Sequence, residues 1–231
     1  RRRAFHEAEH AYRQALSVLE QVALDDGDRI ELAVRAAFNR VVQITQGYSA
    51  SEAGLSSQRV TELARRVDDR NARAREEQLR WRSVFTTGDY AAAEAIVEEV
   101  RSGIQQGFYT GDLARGERDF VAWAAIQDGS HRGAGDDVLS MGIGGLIALM
   151  TGRYEVAHER VRSGFEIAAR RGNPYDLAMA LHSEACTIHF AGESDRLAST
   201  ADRLVRVAAD SGFEYAGHLA TGWQAICDLG A

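Results

Sequence analysis

The segment HEAEH at residues 6–10 has the residue types and the spacing of a zinc site on a helix. His6 and His10 would lie four residues apart on one helix face, where both imidazoles could bind Zn²⁺ and Glu7 could act as a general base. However, Phe5 and the small and apolar residues after it already define a different, core-facing side of this helix. No third ligand follows at a recognisable spacing. We therefore expect both histidines to face solvent and keep a zinc-dependent hydrolase only as an alternative function.

A second set of candidate ligands, His182, Cys186 and His189, has the spacing i, i+4, i+7. These positions share one helix face, and imidazole and thiolate bind zinc or a softer metal. A structural zinc site needs a fourth ligand at a fixed spacing, and the sequence offers none. Histidine and cysteine also pack at helix interfaces. We therefore predict no metal and no cofactor at these residues.

Composition and context disfavour several other chemistries. All 27 basic residues are arginine, which excludes a Walker phosphate loop, a Schiff-base lysine and a Ser-Lys pair. The segment 65–82 interleaves seven arginines with four carboxylates, a pattern that favours a solvent-exposed, ion-paired helix face over phosphate binding. The segment GIGGL at 142–146 has no preceding strand and is therefore no dinucleotide fingerprint. Its glycines are expected where one helix passes close to its neighbours.

The elements that position these residues repeat along the chain, since TGDYAAA at 87–93 returns as TGRYEVA at 151–157. After the aromatic marker, a small residue follows three positions later and apolar residues follow seven and ten later. All four positions lie on one helix face. Copies of the pattern begin at Phe5, Tyr48, Tyr90, Tyr154 and Ser194, of which those at Tyr48 and Ser194 are weaker. Each marker is predicted to open an amphipathic helix after a tight glycine turn.

A second helix precedes most markers, and one of these has clear boundary signals. Gly172 closes the preceding helix, Asn173 is the N-cap and Pro174 occupies the first turn. Because no segment alternates like a strand, we predict an all-α protein in which antiparallel pairs of an A helix and a B helix stack with a right-handed sense into a superhelix.

We expect one helical-repeat domain over residues 1–231. Its helix pairs are predicted at 1–24 (B helix only), 25–67, 68–108, 111–134 (an incomplete pair), 136–171, 172–210 and 211–231 (A helix only). Because the pair at 111–134 has no B helix of its own, we expect an irregularity between Ala134 and Gly135, where a B helix was deleted or a segment is absent from the sequence. The chain also begins inside a helical pattern, which predicts that it is part of a longer protein.

This arrangement resembles the tetratricopeptide repeat, in which helix A, a Gly-Asp-Tyr-type turn and helix B form one unit. The marker spacings of 43, 42, 64 and 40 residues exceed the tetratricopeptide period of about 34 and overlap the HEAT and armadillo range. Segments 44–53, 172–193 and 211–230 look like the helical-repeat region of large bacterial signalling ATPases and ATP-dependent transcriptional regulators. The resemblance implies a non-catalytic regulatory or sensing domain. It also implies a protein or peptide partner, which could be the protein's own ATPase domain.

The same resemblance implies where a partner binds, because A-helix residues at fixed offsets before the marker line the concave groove of tetratricopeptide repeats. Applied to this chain, these offsets select Arg40, Gln43, Gln78, Arg82, Phe85, His182, Cys186, His189 and Gln224. A wall of arginine and glutamine facing one of histidine and cysteine suits an acidic or C-terminal peptide. A stand-alone receptor for peptide pheromones would use the same groove and is an alternative function.

Charge and cysteine content limit the partners and the compartment. The net charge of −7 gives no general attraction to nucleic acid or to an anionic membrane. No apolar run is long enough to span a bilayer. Cys186 and Cys227 are too few for a disulfide framework, which favours reduced thiols in a cytoplasmic protein.

Overall fold

The computed structural model describes residues 2–22, 25–47, 50–69, 80–100, 103–125 and 136–230. All regular secondary structure in these ranges is helical, which confirms the predicted all-α class. The contacts divide the chain into two compact units, Arg1–Arg101 (unit 1) and Ser102–Ala231 (unit 2). The single helical-repeat domain over residues 1–231 stays a prediction. None of the described helices combines the length and the apolar character needed to cross a membrane.

The described part of unit 1 contains helices α1 (Arg2–Leu19), α2 (Gly27–Gln46), α3 (Ser51–Arg66), α4 (80–86) and α5 (Tyr90–Val100). Helix α2 packs against both α1 and α3. It contributes Phe38 to one apolar cluster with Leu16 of α1 and Leu32 to another with Leu63 of α3. In a third cluster, Trp81 of α4 packs against α5. The predicted pair at 25–67 therefore corresponds to α2 and α3.

The described part of unit 2 contains α6 (Ile104–Tyr109), α7 (Leu113–Ala125), α8 (Asp136–Met150), α9 (Tyr154–Arg171), α10 (Pro174–Ala191), α11 (Ser194–Ser211) and α12 (Glu214–Gly230). From α8 to α12 each helix packs against the next, and α10 also packs against α8 and α12. Helices α8, α10 and α12 therefore form one layer, and α9 and α11 form a second. The predicted missing helix between Ala134 and Gly135 lies outside the described residues.

The predicted turns begin helices where the markers place them. Helices α5, α9 and α11 begin at the markers Tyr90, Tyr154 and Ser194. The glycine two residues before each marker has a left-handed φ, of 82° at Gly88, 78° at Gly152 and 76° at Gly192. Residues other than glycine rarely adopt this backbone conformation, which is why the turn requires glycine. The predicted cap is also present, since Asn173 Oδ1 accepts a 2.9 Å hydrogen bond from the Tyr175 backbone N–H.

The pair predicted at 68–108 includes most of the residues of α6. In the structure, α5 ends at Val100 and α6 is a separate helix that packs within unit 2. Its contact with α7 depends on two glycines. A Cβ on Gly107 would lie 2.5 Å from the backbone of Gly116, a distance at which the atoms would overlap. Helix periodicity alone does not reveal such an approach of two backbones.

Helix α8 is buried on three sides, and a glycine lies at each close approach. A Cβ on Gly142 would lie 2.1 Å from the Ser183 hydroxyl of α10, and one on Gly144 would lie 2.2 Å from the Phe120 ring of α7. A Cβ on Gly145 would lie 3.2 Å from a backbone oxygen of α9. Because interiors are close-packed, these neighbours could not stay in place if side chains were added. The expectation that the GIGGL glycines lie at close helix contacts is confirmed.

The substitution Gly144→Ala should destabilise unit 2 by about 1–3 kcal/mol, because the new methyl group would overlap the buried Phe120 ring. As a control, Gly222→Ala adds the same methyl group to α12, where no atom lies within 4 Å. It should leave stability unchanged or raise it by up to about 1 kcal/mol, since alanine favours helix more than glycine does. Urea unfolding followed by circular dichroism measures both. Equal midpoints for Gly144→Ala and the wild type would contradict the packing described for α8.

Candidate functional site

Helix α10 presents His182, Cys186 and His189 on one face, as their spacing predicts, and Trp223 of α12 lies against them. The Trp223 Nε1 atom donates a 3.0 Å hydrogen bond to His182 Nδ1. Cys186 Sγ lies 3.7 Å from His182 Nε2, and the rings of His189 and Trp223 have centroids 5.7 Å apart. We call these four residues the α10–α12 cluster.

The hydrogen bond from Trp223 determines which nitrogen of His182 carries the proton. Nδ1 needs a free lone pair to accept it, so the neutral ring carries its proton on Nε2, which faces Cys186. Burial lowers the pKa of His182 to about 4 and raises the pKa of Cys186 to about 12. Both side chains are therefore neutral at pH 7, and Cys186 is a thiol rather than a nucleophilic thiolate.

Polar and aromatic side chains surround this cluster at the surface. His189 is exposed, and the ring of Phe190, itself 55% exposed, lies 5.2 Å from it. On α12, Gln224 is exposed beside Trp223, which is only 8% exposed. We call His189, Phe190 and Gln224, with the outer edge of Trp223, the A-helix patch. It offers hydrogen-bond donors, acceptors and aromatic surface to a partner.

The remaining groove candidates lie in unit 1 or outside the described residues. Helix α2 carries Arg40 and Gln43, helix α4 carries Arg82 and Phe85, and Gln78 lies outside the described residues. Gln43 is only 3% exposed because α2 is packed on both sides. Phe85 stacks on Trp81 with a centroid distance of 5.1 Å. Among the candidates on α10, His182 and Cys186 are in direct contact.

The HEAEH segment lies on α1, where His6, Glu7 and His10 are all exposed. His6 Nδ1 lies 3.9 Å from Glu9 Oε2, a long contact at the protein surface. Within the described ranges, no group of three or more His, Cys, Asp or Glu side chains is arranged to hold a metal ion. The two histidines thus face solvent, as their position relative to the core-facing side of α1 predicts.

Trp223 is the member of the α10–α12 cluster that sequence reasoning missed. The offsets that select groove residues give Gln224 on the last A helix, and Trp223 lies one position before it. The aromatic residue next to Gln224 was the feature of the sequence that could have indicated Trp223 as a member of the cluster. Its hydrogen bond to His182 depends on how closely α12 approaches α10, which spacing along the chain does not determine.

The chain matches no protein-family model, and no curated protein or solved structure is significantly similar to it. A function for this chain therefore has to be argued from its own residues and from the surfaces that the described helices form.

The substitution His182→Asn keeps a hydrogen-bond acceptor for Trp223 but removes the titrating ring. The folded-state pKa of His182 is about 4, whereas an unfolded histidine has a pKa of about 6.5. As the pH falls through this window, the unfolded state binds the proton first, so the wild type should lose on the order of 3 kcal/mol of stability relative to the variant. Above about pH 7 the difference between the two proteins should be constant.

Urea unfolding at pH 7.5, 5.5 and 4.5 measures this difference. The substitution His218→Asn is the matched control, since His218 is an exposed histidine of α12. If the two variants showed the same pH dependence relative to the wild type, the buried, hydrogen-bonded state of His182 would be wrong.

Proposed function

We propose that this chain is a non-catalytic helical-repeat domain of a larger regulatory protein, and that it binds a protein or peptide segment on the A-helix patch. The observation that carries the proposal is the exposed polar and aromatic surface of α10 and α12, two neighbouring helices of one layer. Surfaces that combine aromatic and hydrogen-bonding side chains are typical of binding sites for other chains.

The packing of unit 2 supports a repeat architecture. Each helix from α8 to α12 contacts the next, and α10 contacts α8 and α12 of its own layer. A single helix pair cannot bury its apolar face alone, so stacking of pairs is the physical reason for such an arrangement. The glycine turns before Tyr154 and Ser194 repeat the same local structure in successive pairs. These features support the tetratricopeptide-like interpretation.

The chemistry of the patch favours hydrogen-bonded recognition of a peptide. The Gln224 amide can donate and accept, and the His189 imidazole can do both in its neutral form. The ring of Phe190, more than half exposed, adds apolar surface that a partner would remove from water. The His182 ring stabilises this surface, because its Nδ1 atom accepts the hydrogen bond that orients the Trp223 indole. The role of the larger protein, a signalling ATPase or transcriptional regulator, follows from the resemblance of the repeats.

A photo-crosslinking amino acid at Gln224 of the intact protein should capture a partner inside the cell. The same amino acid at Asp202, an exposed position of α11, is the matched control, because α11 contributes nothing to the patch. A crosslink to a separate chain would identify a partner protein, and an intramolecular crosslink would identify the protein's own ATPase domain. Both outcomes support the patch as the binding surface. Crosslinking at Gln224 that did not exceed crosslinking at Asp202 would contradict it.

A further inference from the structure

Helices α9 and α11 barely touch each other, although both pack against α10. In the opposite layer, α8 and α10 approach closely, because Gly142 has no side chain to hold Ser183 away. Because α8 and α10 lie close together whereas α9 and α11 lie apart, a wedge-shaped opening remains between α9 and α11. This wedge is a groove of about 680 Å³, and the buried side chains of Thr187 and Ile188 on α10 form part of its lining. We call it the B-helix groove.

The B-helix groove is separate from the A-helix patch. Successive residues of an α-helix are rotated by about 100°. Glu184 and Ile188, which line the groove, therefore lie on the side of α10 opposite to His182 and Cys186. A ligand in this groove would contact a different face of the layer from a partner on the patch.

One wall of the groove is aromatic and apolar. On α9, the rings of Tyr154 and His158 have centroids 4.6 Å apart, and Phe165 and Val161 continue the same wall. From Tyr154 to Phe165 the helix rises roughly 16 Å. This length matches about five residues of an extended peptide.

The other wall, formed by α11, carries arginines that form ion pairs with a glutamate of α10. Glu184 of α10 lies 3.7 Å from Arg196 and 3.3 Å from Arg203, and it also accepts a 3.3 Å hydrogen bond from Thr200. The Arg203 guanidinium lies 5.7 Å from the centroid of the Phe165 ring. A guanidinium has five N–H donors, and the contact with Glu184 uses only part of them. Arg203 can therefore bind a further acceptor in the groove.

Arg162 adds a second cation at the Phe165 end. It lines the groove one helical turn before Phe165 on α9. It forms no ion pair or hydrogen bond with any residue in the described part of the chain. Two guanidiniums with free donors beside an aromatic ring match a carboxylate next to an apolar side chain, because guanidinium and carboxylate form short, charge-assisted hydrogen bonds.

We propose that the B-helix groove binds a short peptide segment in which an acidic residue lies next to an aromatic or aliphatic one. Arg162 and Arg203 bind the carboxylate, and the partly exposed ring of Phe165 contacts the apolar side chain. Glu155 and Glu159 also line the groove from α9 and repel additional negative charge. The groove therefore selects an isolated acidic residue rather than an acidic run or a nucleic-acid backbone, and the net charge of −7 acts in the same direction.

Selection of a random heptapeptide library on the intact chain tests this proposal. The selected peptides should contain one Asp or Glu beside an aromatic or aliphatic residue. A fluorescein-labelled selected peptide should bind at least about tenfold more weakly to the Arg162→Gln, Arg203→Gln double variant, because the charge-assisted hydrogen bonds are lost. The Arg170→Gln, Arg206→Gln double variant is the matched control, since both arginines are exposed on the same two helices and neither lines the groove. It should retain wild-type affinity.

Six results would overturn the proposal, of which four concern the peptide selection and its binding. These four are selection of no peptide, selection of basic peptides, equal affinity of the two double variants, and tighter binding of a single-stranded oligonucleotide than of the selected peptide. A peptide whose binding is lost only in a His189→Ala, Gln224→Ala variant would place the site on the A-helix patch. That result would overturn the groove while supporting the proposed function. Concentration-dependent self-association lost in the groove variant would identify a second copy as the occupant and would also overturn it.

Discussion

The burial of α8 is the constraint on which the packing of unit 2 depends. This helix contacts α6, α7, α9 and α10, and at its contacts with the last three a glycine replaces a side chain that would overlap the neighbour. A helix with three glycines in its interior loses roughly 1 kcal/mol of helix propensity at each of them. Close packing against these four neighbours offsets this loss, because apolar burial and dispersion increase as the backbones approach. The same three glycines therefore lower the intrinsic helix stability of α8 and allow the close approach of its neighbours.

Ion pairs orient the helices around this centre. Arg160 of α9 donates to Glu117 of α7 at 2.7 Å and to the Gly144 carbonyl of α8 at 2.8 Å, and its guanidinium lies 3.9 Å from the centroid of the Phe120 ring. Hydrogen bonds from Arg160, followed by those from Arg153, lower the pKa of Glu117 to about 2. One arginine therefore links three helices at the point where Gly144 admits the Phe120 ring.

A second arginine, Arg171, connects the starts of two helices of the same layer. It pairs with Asp137 of α8 and lies 3.8 Å from Asp176 of α10, and the two carboxylates are only 2% and 0% exposed. Both aspartates lie in first turns and Arg171 lies in the last turn of α9, so each charge also interacts favourably with a helix dipole. Because removing one partner would leave a buried charge uncompensated, these pairs define the relative orientation of α8, α9 and α10.

Local patterns in the sequence determined the helices of this protein, and tertiary packing decided which of their faces meet in a cluster or border a groove. Glycine before Tyr90, Tyr154 and Ser194 predicted three helix starts, because a left-handed turn can be read from residue type alone. Spacing placed His182, Cys186 and His189 on one face for the same local reason. The indole over His182 and the wedge between α9 and α11 depend on distances between helices far apart in the chain. Those distances result from side-chain volumes and ion pairs in three dimensions, which periodicity along the chain does not contain.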